Sequence, residues 1–360
     1  MIKYLGSKRA LLGPIVDLVG SLPGATSVVD LFSGTSRVGH ALKALGYRVH
    51  ANDDAAYAEL LARCYVVADR ERWLAPAQRL LAELSDLAGE PGYFTRTFCE
   101  ESRFFRPHNG ARVDRVRREI AERGLHPELE AIALTSLVEA ADRVDSTTGV
   151  HMAYLKSWAP RSSRDLELRM PDLLPRAEHG PGTASRLDAL DAAKRFEADV
   201  AYLDPPYNQH KYVGNYHIWE TLVLGDEPEA YGVARKRADC RERRSPFNSR
   251  ARCEDALRAV VTAVRARYVV LSFSDEGFVT LARLASLLSE HGRVGARAIE
   301  HRRYVGARIG IHGPRGERVG TVSHVRNREY LFLLAKDGAE WPERGGMEPL
   351  ECVLGRAVRT

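Results

Sequence analysis

Val28-Val29-Asp30-Leu31-Phe32-Ser33-Gly34-Thr35-Ser36-Arg37-Val38-Gly39 is the stretch that decides the fold class. Val28 to Phe32 is a short apolar run ending at a glycine-containing turn, which predicts a strand, and Ser36 to Leu45 follows with helical period. A second round comes directly after, with a strand over Arg48 to Ala51 and a helix over Ala55 to Ala68. This β-α-β-α order predicts a parallel sheet with helices on its faces. The pattern returns late in the chain. Val200 to Leu203 reads as a buried strand, Glu254 to Arg267 as a helix, Val269 to Phe273 as a strand, Phe278 to Leu288 as a helix and Glu329 to Ala335 as a closing strand.

Between these blocks the alternation stops. Trp73 to Leu87 and Leu125 to Val144 have helical period, whereas Glu90 to Asn109 and Ala159 to Thr183 are rich in Gly, Pro, Arg and aromatic residues. The reading is one α/β domain, residues 1–69 and 184–336, with a sheet of about seven strands. A mainly helical insertion, residues 70–183, interrupts it, and residues 337–360, with four Gly and two Pro, read as a loosely attached tail.

Composition narrows the class of protein. The 360 residues are 44% hydrophobic and 28% charged, which excludes disorder and collagen-like or mini-protein scaffolds. Five cysteines, odd in number and without a C-x-x-C pair, argue for free thiols in a reducing compartment and against a zinc site. No apolar run approaches a membrane span, so a cytoplasmic protein without a membrane partner is expected. The 53 basic and 48 acidic side chains leave a formal charge of only +5, which by itself names no partner.

Two sites carry chemistry. At the first, Gly34 lets the backbone approach a ligand closely, and the N–H groups at the start of a helix favour polar or anionic groups. Gly34 and Gly39 are equally compatible with a merely tight β-α turn. The dinucleotide fingerprint G-x-G-x-x-G is absent, because Ser36 stands at its second glycine. Asp53, at the end of the second strand, is placed to grip ribose hydroxyls, so a nucleoside-containing cofactor without a pyrophosphate suits this pair. The second site is Asp204-Pro205-Pro206-Tyr207, directly after the strand Val200 to Leu203. Its carboxylate falls at the carboxyl end of the sheet, where open α/β folds bind ligands. Two prolines stiffen the turn and leave carbonyl oxygens as acceptors. An acid and a rigid carbonyl together can receive both hydrogens of a planar exocyclic amine, and Tyr207 offers a face for a base to stack on.

These residues resemble the amino-methylating DNA methyltransferases that use S-adenosylmethionine, and among them the Dam-like, D12-class N6-adenine group. Tyr4-Leu5-Gly6-Ser7-Lys8, followed by Leu11 and Leu12, is similar to the N-terminal motif that closes over the cofactor. Asp30 to Gly39 is similar to the cofactor loop, with Phe32 and Gly34 in register, and Asp53 matches the ribose-binding acid. Asp188 is similar to the acid that reaches the cofactor's adenine, with Asp191 as a close competitor. The resemblance implies a Rossmann-like methyltransferase sheet in which the insertion is the target-recognition region. It also implies that Tyr207 stacks on a flipped adenine while Asp204 and the Pro205 carbonyl accept hydrogen bonds from its N6 amine. Ser36 departs from a glycine of the family loop, so a slightly different backbone path is expected there. Cytosine-C5 chemistry is excluded, since no cysteine follows a proline.

Residues 235–252 hold eight basic and two acidic side chains, a local +6 that leaves the rest of the chain at −1. Arg235, Lys236, Arg237, Arg241, Arg243 and Arg244 are therefore expected to hold DNA phosphates, or else to be a solvated face. Arg161 and Arg164, the row Arg112, Arg115, Arg117 and Arg118, and the group Arg302, Arg303 and Arg308 are further candidates. Tyr212 and Asn215 suit holding the flipped nucleotide, whereas Tyr216 and Trp219 are equally compatible with core. The expected activity is site-specific adenine methylation of duplex DNA by a monomer in a prokaryotic cell, either within a restriction-modification system beside a cognate restriction endonuclease or as a solitary enzyme. The alternatives are an RNA adenine methyltransferase and a catalytically silent cofactor- or DNA-binding subunit.

Overall fold

The computed structural model describes residues 1–209, 211–302, 311–312, 318–320 and 326–357. It is a mixed α/β fold with eight strands in its large sheet: β1 (Ser27–Asp30), β2 (Arg48–Asn52), β3 (Thr183–Ser185), β4 (Val200–Leu203), β5 (Tyr268–Ser274), β6 (Gly292–Arg302), β7 (Arg326–Lys336) and β8 (Glu348–Pro349). The chain forms two compact units, one of residues 1–7, 29–192 and 210–245, the other of residues 8–28, 193–209 and 246–360.

In the first unit the strands run β1-β2-β3, and β3 lies parallel to β2 with His50 opposite Thr183 and Asn52 opposite Ser185. All four residues of β1 are buried, as expected of a strand covered on both faces. Helices Arg37–Ala44 and Ala56–Ala62 follow β1 and β2, the second continuing as a π turn over Arg63–Val67. Helix Arg70–Ser85 buries Trp73, Ala77, Leu80, Leu81 and Leu84, one stripe at helical spacing. Helix Pro127–Val144 begins with Pro at its first position, carries Glu128 and Glu130 in its first turn and Arg143 in its last, and buries residues all round. It runs through a core with Phe98, Phe104, Phe105 and Trp219. Helix Pro107–Glu122 lies partly in a stretch read as irregular from sequence, because its buried stripe includes Asn109, Gly110 and Ala111 beside Val113, Val116 and Ile120.

In the second unit the order is β8-β6-β7-β5-β4. β4 and β5 are parallel, Val200 facing Tyr268 and Leu203 facing Leu271. β7 runs antiparallel to both β5 and β6. That reversal matters: it sets Glu329, near the start of β7, opposite Ser274 at the carboxyl end of β5. Strand β6 went unread because GRVGARAIEHR has few large apolar residues and no clean alternation. Residues 337–360, expected as a tail, contribute β8, which pairs Glu348 with Ala296 and Pro349 with Gly295, and the helix Leu350–Ala357. Pro349 is tolerated because β8 is an edge strand.

Candidate active site

The N-terminal motif forms a turn in which Ser7 N–H donates to the Tyr4 carbonyl at 3.2 Å, with Gly6 at φ +74°. Only glycine takes that conformation without strain, and a Cβ there would meet the Tyr212 hydroxyl at 2.9 Å. Tyr4 lies near-parallel to Tyr212 and Tyr216, ring centroids 5.4 and 4.5 Å away, and its hydroxyl is 3.0 Å from that of Tyr57. Gly34, at φ +50°, faces the Tyr4 ring, which a Cβ would touch at 3.4 Å. Tyr4, Gly6 and Gly34 therefore form one patch. Phe32 beside them is half-buried and Asp30 fully buried at the end of β1.

Ser36 adopts a conformation that glycine takes readily. Its φ is +56°, a left-handed conformation that strains a non-glycine residue by about 1–2 kcal/mol. The turn around the serine is closed by Ser36 N–H donating to the Ser33 carbonyl at 2.7 Å and His40 N–H donating to the Ser36 carbonyl at 2.8 Å. The hydroxyls of Ser33 and Ser36 are buried and have no hydrogen-bond partner among the described residues.

Asp53 accepts the Gly34 N–H at 2.9 Å and the Ala55 N–H at 3.1 Å, which ties the end of β2 to the loop. Burial and the neighbouring Asp54 push its carboxyl up to about 7, against the pull of those two N–H groups. Asp188 is exposed and caps the helix Ala189–Arg195, accepting the Leu190 N–H at 2.8 Å. Asp191, its competitor, is exposed in the first turn of that helix.

In the second unit, Asp204 follows the last residue of β4. Lys8 Nζ lies 2.9 Å from Asp204 Oδ1 and 3.1 Å from Glu329 Oε2, so Lys8 is held by two carboxylates. Lys8 and Glu329 are both buried, at 6% exposure each. Burial raises the Asp204 carboxyl, Lys8 lowers it and Glu329 raises it, with the result near 6. Burial alone would lower the Lys8 ammonium, but Asp204 and Glu329 outweigh it and hold it well above its ordinary value. Pro205 is buried and Pro206 half-buried. Tyr207 is half-buried, its ring 5.6 Å from that of Phe273 and its carbonyl accepting the Phe278 N–H at 2.8 Å. Lys8, expected as a cofactor residue, is thus bonded to the motif acid. Sequence reading missed Glu329 because it stands 125 positions from Asp204 in an ordinary-looking strand.

A family model for D12 class N6 adenine-specific DNA methyltransferases matches residues 4–273, from the Tyr4 turn through Asp204–Tyr207 to Phe273 in β5. The chain belongs to this family. It is 27% identical over 349 residues to the type II methyltransferase M.NlaIII of Neisseria lactamica, covering 93% of this chain and 99% of that protein. It is 27% identical over 322 residues to the modification methylase StsI of Streptococcus sanguinis and 28% identical over 314 to the type II methyltransferase M.FokI of Planomicrobium okeanokoites. Those matches cover 84% and 81% of this chain but only 49% and 47% of the two relatives, so the chain spans about half their length.

For a member of this methyltransferase family, the basic residues are the natural place to look for phosphate contacts, and the structure divides them. Arg237 is buried and bonded to Asp226 at 2.7 Å and Asp239 at 3.1 Å. Arg243 reaches the fully buried Glu220 at 2.8 Å, and Arg235 reaches Glu101 at 3.1 Å. Lys236 is half-buried in a short hairpin with Tyr231. Arg241 and Arg244 are exposed, Arg241 lying 3.9 Å over the Tyr231 ring. In the insertion, Arg161 is committed to the buried Asp145 at 2.7 Å, whereas Arg164 is exposed. Arg115 pairs with Glu119 and Arg118 with Glu90, while Arg112 and Arg117 bond backbone carbonyls of Ser85 and Leu222. Arg303 and Arg308 lie outside the described residues. Asn215 is only 5% exposed, and its carbonyl accepts the His151 N–H; Tyr216 and Trp219 are fully buried core. Among the described residues, no helix is long and apolar enough to cross a membrane.

Proposed function

We propose that this chain is a site-specific DNA adenine methyltransferase that uses S-adenosylmethionine to methylate the N6 amine of an adenine flipped out of duplex DNA. The observation that carries the reading is Asp204 at the carboxyl end of β4, a partly accessible acid whose Oδ1 is held by Lys8, in a chain of this family. The Asp204 carboxylate and the Pro205 carbonyl accept the two N6 hydrogens, which localises the nitrogen lone pair for attack. Tyr207 supplies the stacking face that fixes the base plane. Orientation and electrostatics supply the rate; no covalent enzyme nucleophile is required.

The residues of the first unit fit an adenosyl cofactor. Gly34 gives close backbone approach, Asp53 suits ribose hydroxyls, and the unpartnered buried hydroxyls of Ser33 and Ser36 offer further polar contacts. Tyr4, Gly6, Asp30 and Phe32 line the same loop, and Asp188 is the acid for the adenine edge. S-adenosylmethionine would supply an electrophilic methyl group on a sulfonium. The insertion, residues 70–183, is the target-recognition region, and the exposed Arg164, Arg241 and Arg244 hold phosphates. A type II modification role, protecting DNA from a partner endonuclease, is supported by the names of M.NlaIII and M.FokI.

Transfer of labelled methyl groups from S-adenosylmethionine tests the reading, with duplex DNA and structured RNA as separate substrates and nucleoside analysis of the product. N6-methyladenine in DNA is expected; label in RNA alone, or none in either, would overturn it.

A further inference from the structure

Among the described residues, the cluster around Asp204 holds one ammonium and two carboxylates, and its third member comes from outside the matched family region, which ends at residue 273. We propose that Glu329 is a positioning residue for methyl transfer: it holds Lys8 against Asp204 Oδ1 and keeps the cluster net negative. The inference rests on the function proposed above. Its geometry comes from the reversed strand β7, which brings Glu329 to the carboxyl end of β5, opposite Ser274 and 3.5 Å from the Ser272 hydroxyl. A lone Lys8 would form a neutral pair with Asp204 and draw its charge away from the amine. With Glu329 sharing the ammonium, Asp204 keeps acceptor strength, and Oδ2 is the oxygen offered to N6. The amine becomes positive as it attacks, and a net negative site inside a low-dielectric pocket favours that charge. Among the described residues, the other titratable groups facing the cluster are Tyr202 and Tyr207, with Lys8 Nζ 6.0 Å from the Tyr207 ring centroid.

The direction of the effect on Asp204 is fixed by sign. Glu329 raises the Asp204 carboxyl, so removing its charge must let Asp204 ionise at lower pH.

Glu329→Gln keeps size and hydrogen bonding but removes the charge. The expected result is a loss of kcat on the order of tenfold, with KM for DNA and for S-adenosylmethionine within about twofold. The acid limb of the pH–kcat profile moves to lower pH, and the 13C-detected titration of the Asp204 carboxyl in the free protein moves the same way. Glu329→Asp, which retains the charge, restores the limb toward its wild-type position. An unmoved limb and an unmoved Asp204 titration overturn the proposal, even if kcat falls, because a structural role lowers activity without shifting a titration. In the wild-type chain, the labelled Glu329 carboxyl signal must shift as Asp204 titrates, which decides the matter should the variants fail to fold; a Glu329 signal that ignores that step overturns it. If wild-type protein methylates no DNA, the proposed function fails, yet these titrations still decide the coupling.

Discussion

Around Asp204, among the described residues, one buried lysine is outnumbered by two carboxylates, whereas along residues 235–252 eight basic side chains outnumber two acidic ones in the sequence. In the folded chain the second excess shrinks, because Asp226, Glu220 and Glu101, all outside the run, take up Arg237, Arg243 and Arg235. The first excess is created by folding, since Glu329 arrives from a distant strand. The difference teaches that a count of charges along a sequence states how many there are, not which are available. Desolvation selects partners, since a buried charge without a counter-ion is far costlier than an exposed one.

The largest expected effect lies at the acid itself. Asp204→Ala should reduce methyl transfer by about a thousandfold or more, with the thermal midpoint close to wild type; substantial residual methylation would put the reacting amine elsewhere. Next comes Arg243. Its removal takes from the fully buried Glu220 its nearest cation, leaving Arg186 at 3.9 Å and the Tyr57 N–H, and should cost about 1–3 kcal/mol of stability, read by urea unfolding. Were Arg243 bound to a phosphate, as its place in the run suggests, stability would hold and DNA affinity would fall instead.

The pH dependence sharpens the contrast from the other side. The Asp204 carboxyl is raised to about 6, and the ionised form is the acceptor, so the rate should be flat above that pH and fall as pH drops through it. Well below that pH the single-turnover rate should lose about tenfold per pH unit; a profile that titrates only near pH 4 would mean that the cluster does not control Asp204. The smallest effect belongs to the exposed arginines. Charge reversal at Arg241 or Arg244 should leave stability within about 0.5 kcal/mol. It should also weaken DNA binding and reduce its log–log salt slope by about 1 for each phosphate no longer neutralised. An unchanged slope would remove that residue from the interface and leave the run as a solvated face.

Legibility follows the range of the interactions. The strands β1, β2, β4 and β5 were readable because each is an uninterrupted apolar run followed by a helical period, and the Asp204 motif because four consecutive residues carry its chemistry. Ser36 shows the limit of local reading: its residue type does not give its backbone, which stands at φ +56° in a turn closed by its N–H on the Ser33 carbonyl. β6 and β8 were not readable, since one is rich in arginine and glycine and the other is two residues long. Asn215 looked available for a nucleotide because it is polar, but its helix sets it beneath the surface, where His151 meets its carbonyl.

By itself the sequence determined the β-α order, the place of the methyltransferase motifs and the type of chemistry open to them, because each depends on residues close together in the chain. Only the tertiary structure decided which arginines remain in water, which carboxylate stands behind Lys8, and that the C-terminal residues close the sheet. Those outcomes depend on pairing between positions far apart in the chain, set by strand direction and register. A buried charge takes whatever partner that register brings to it.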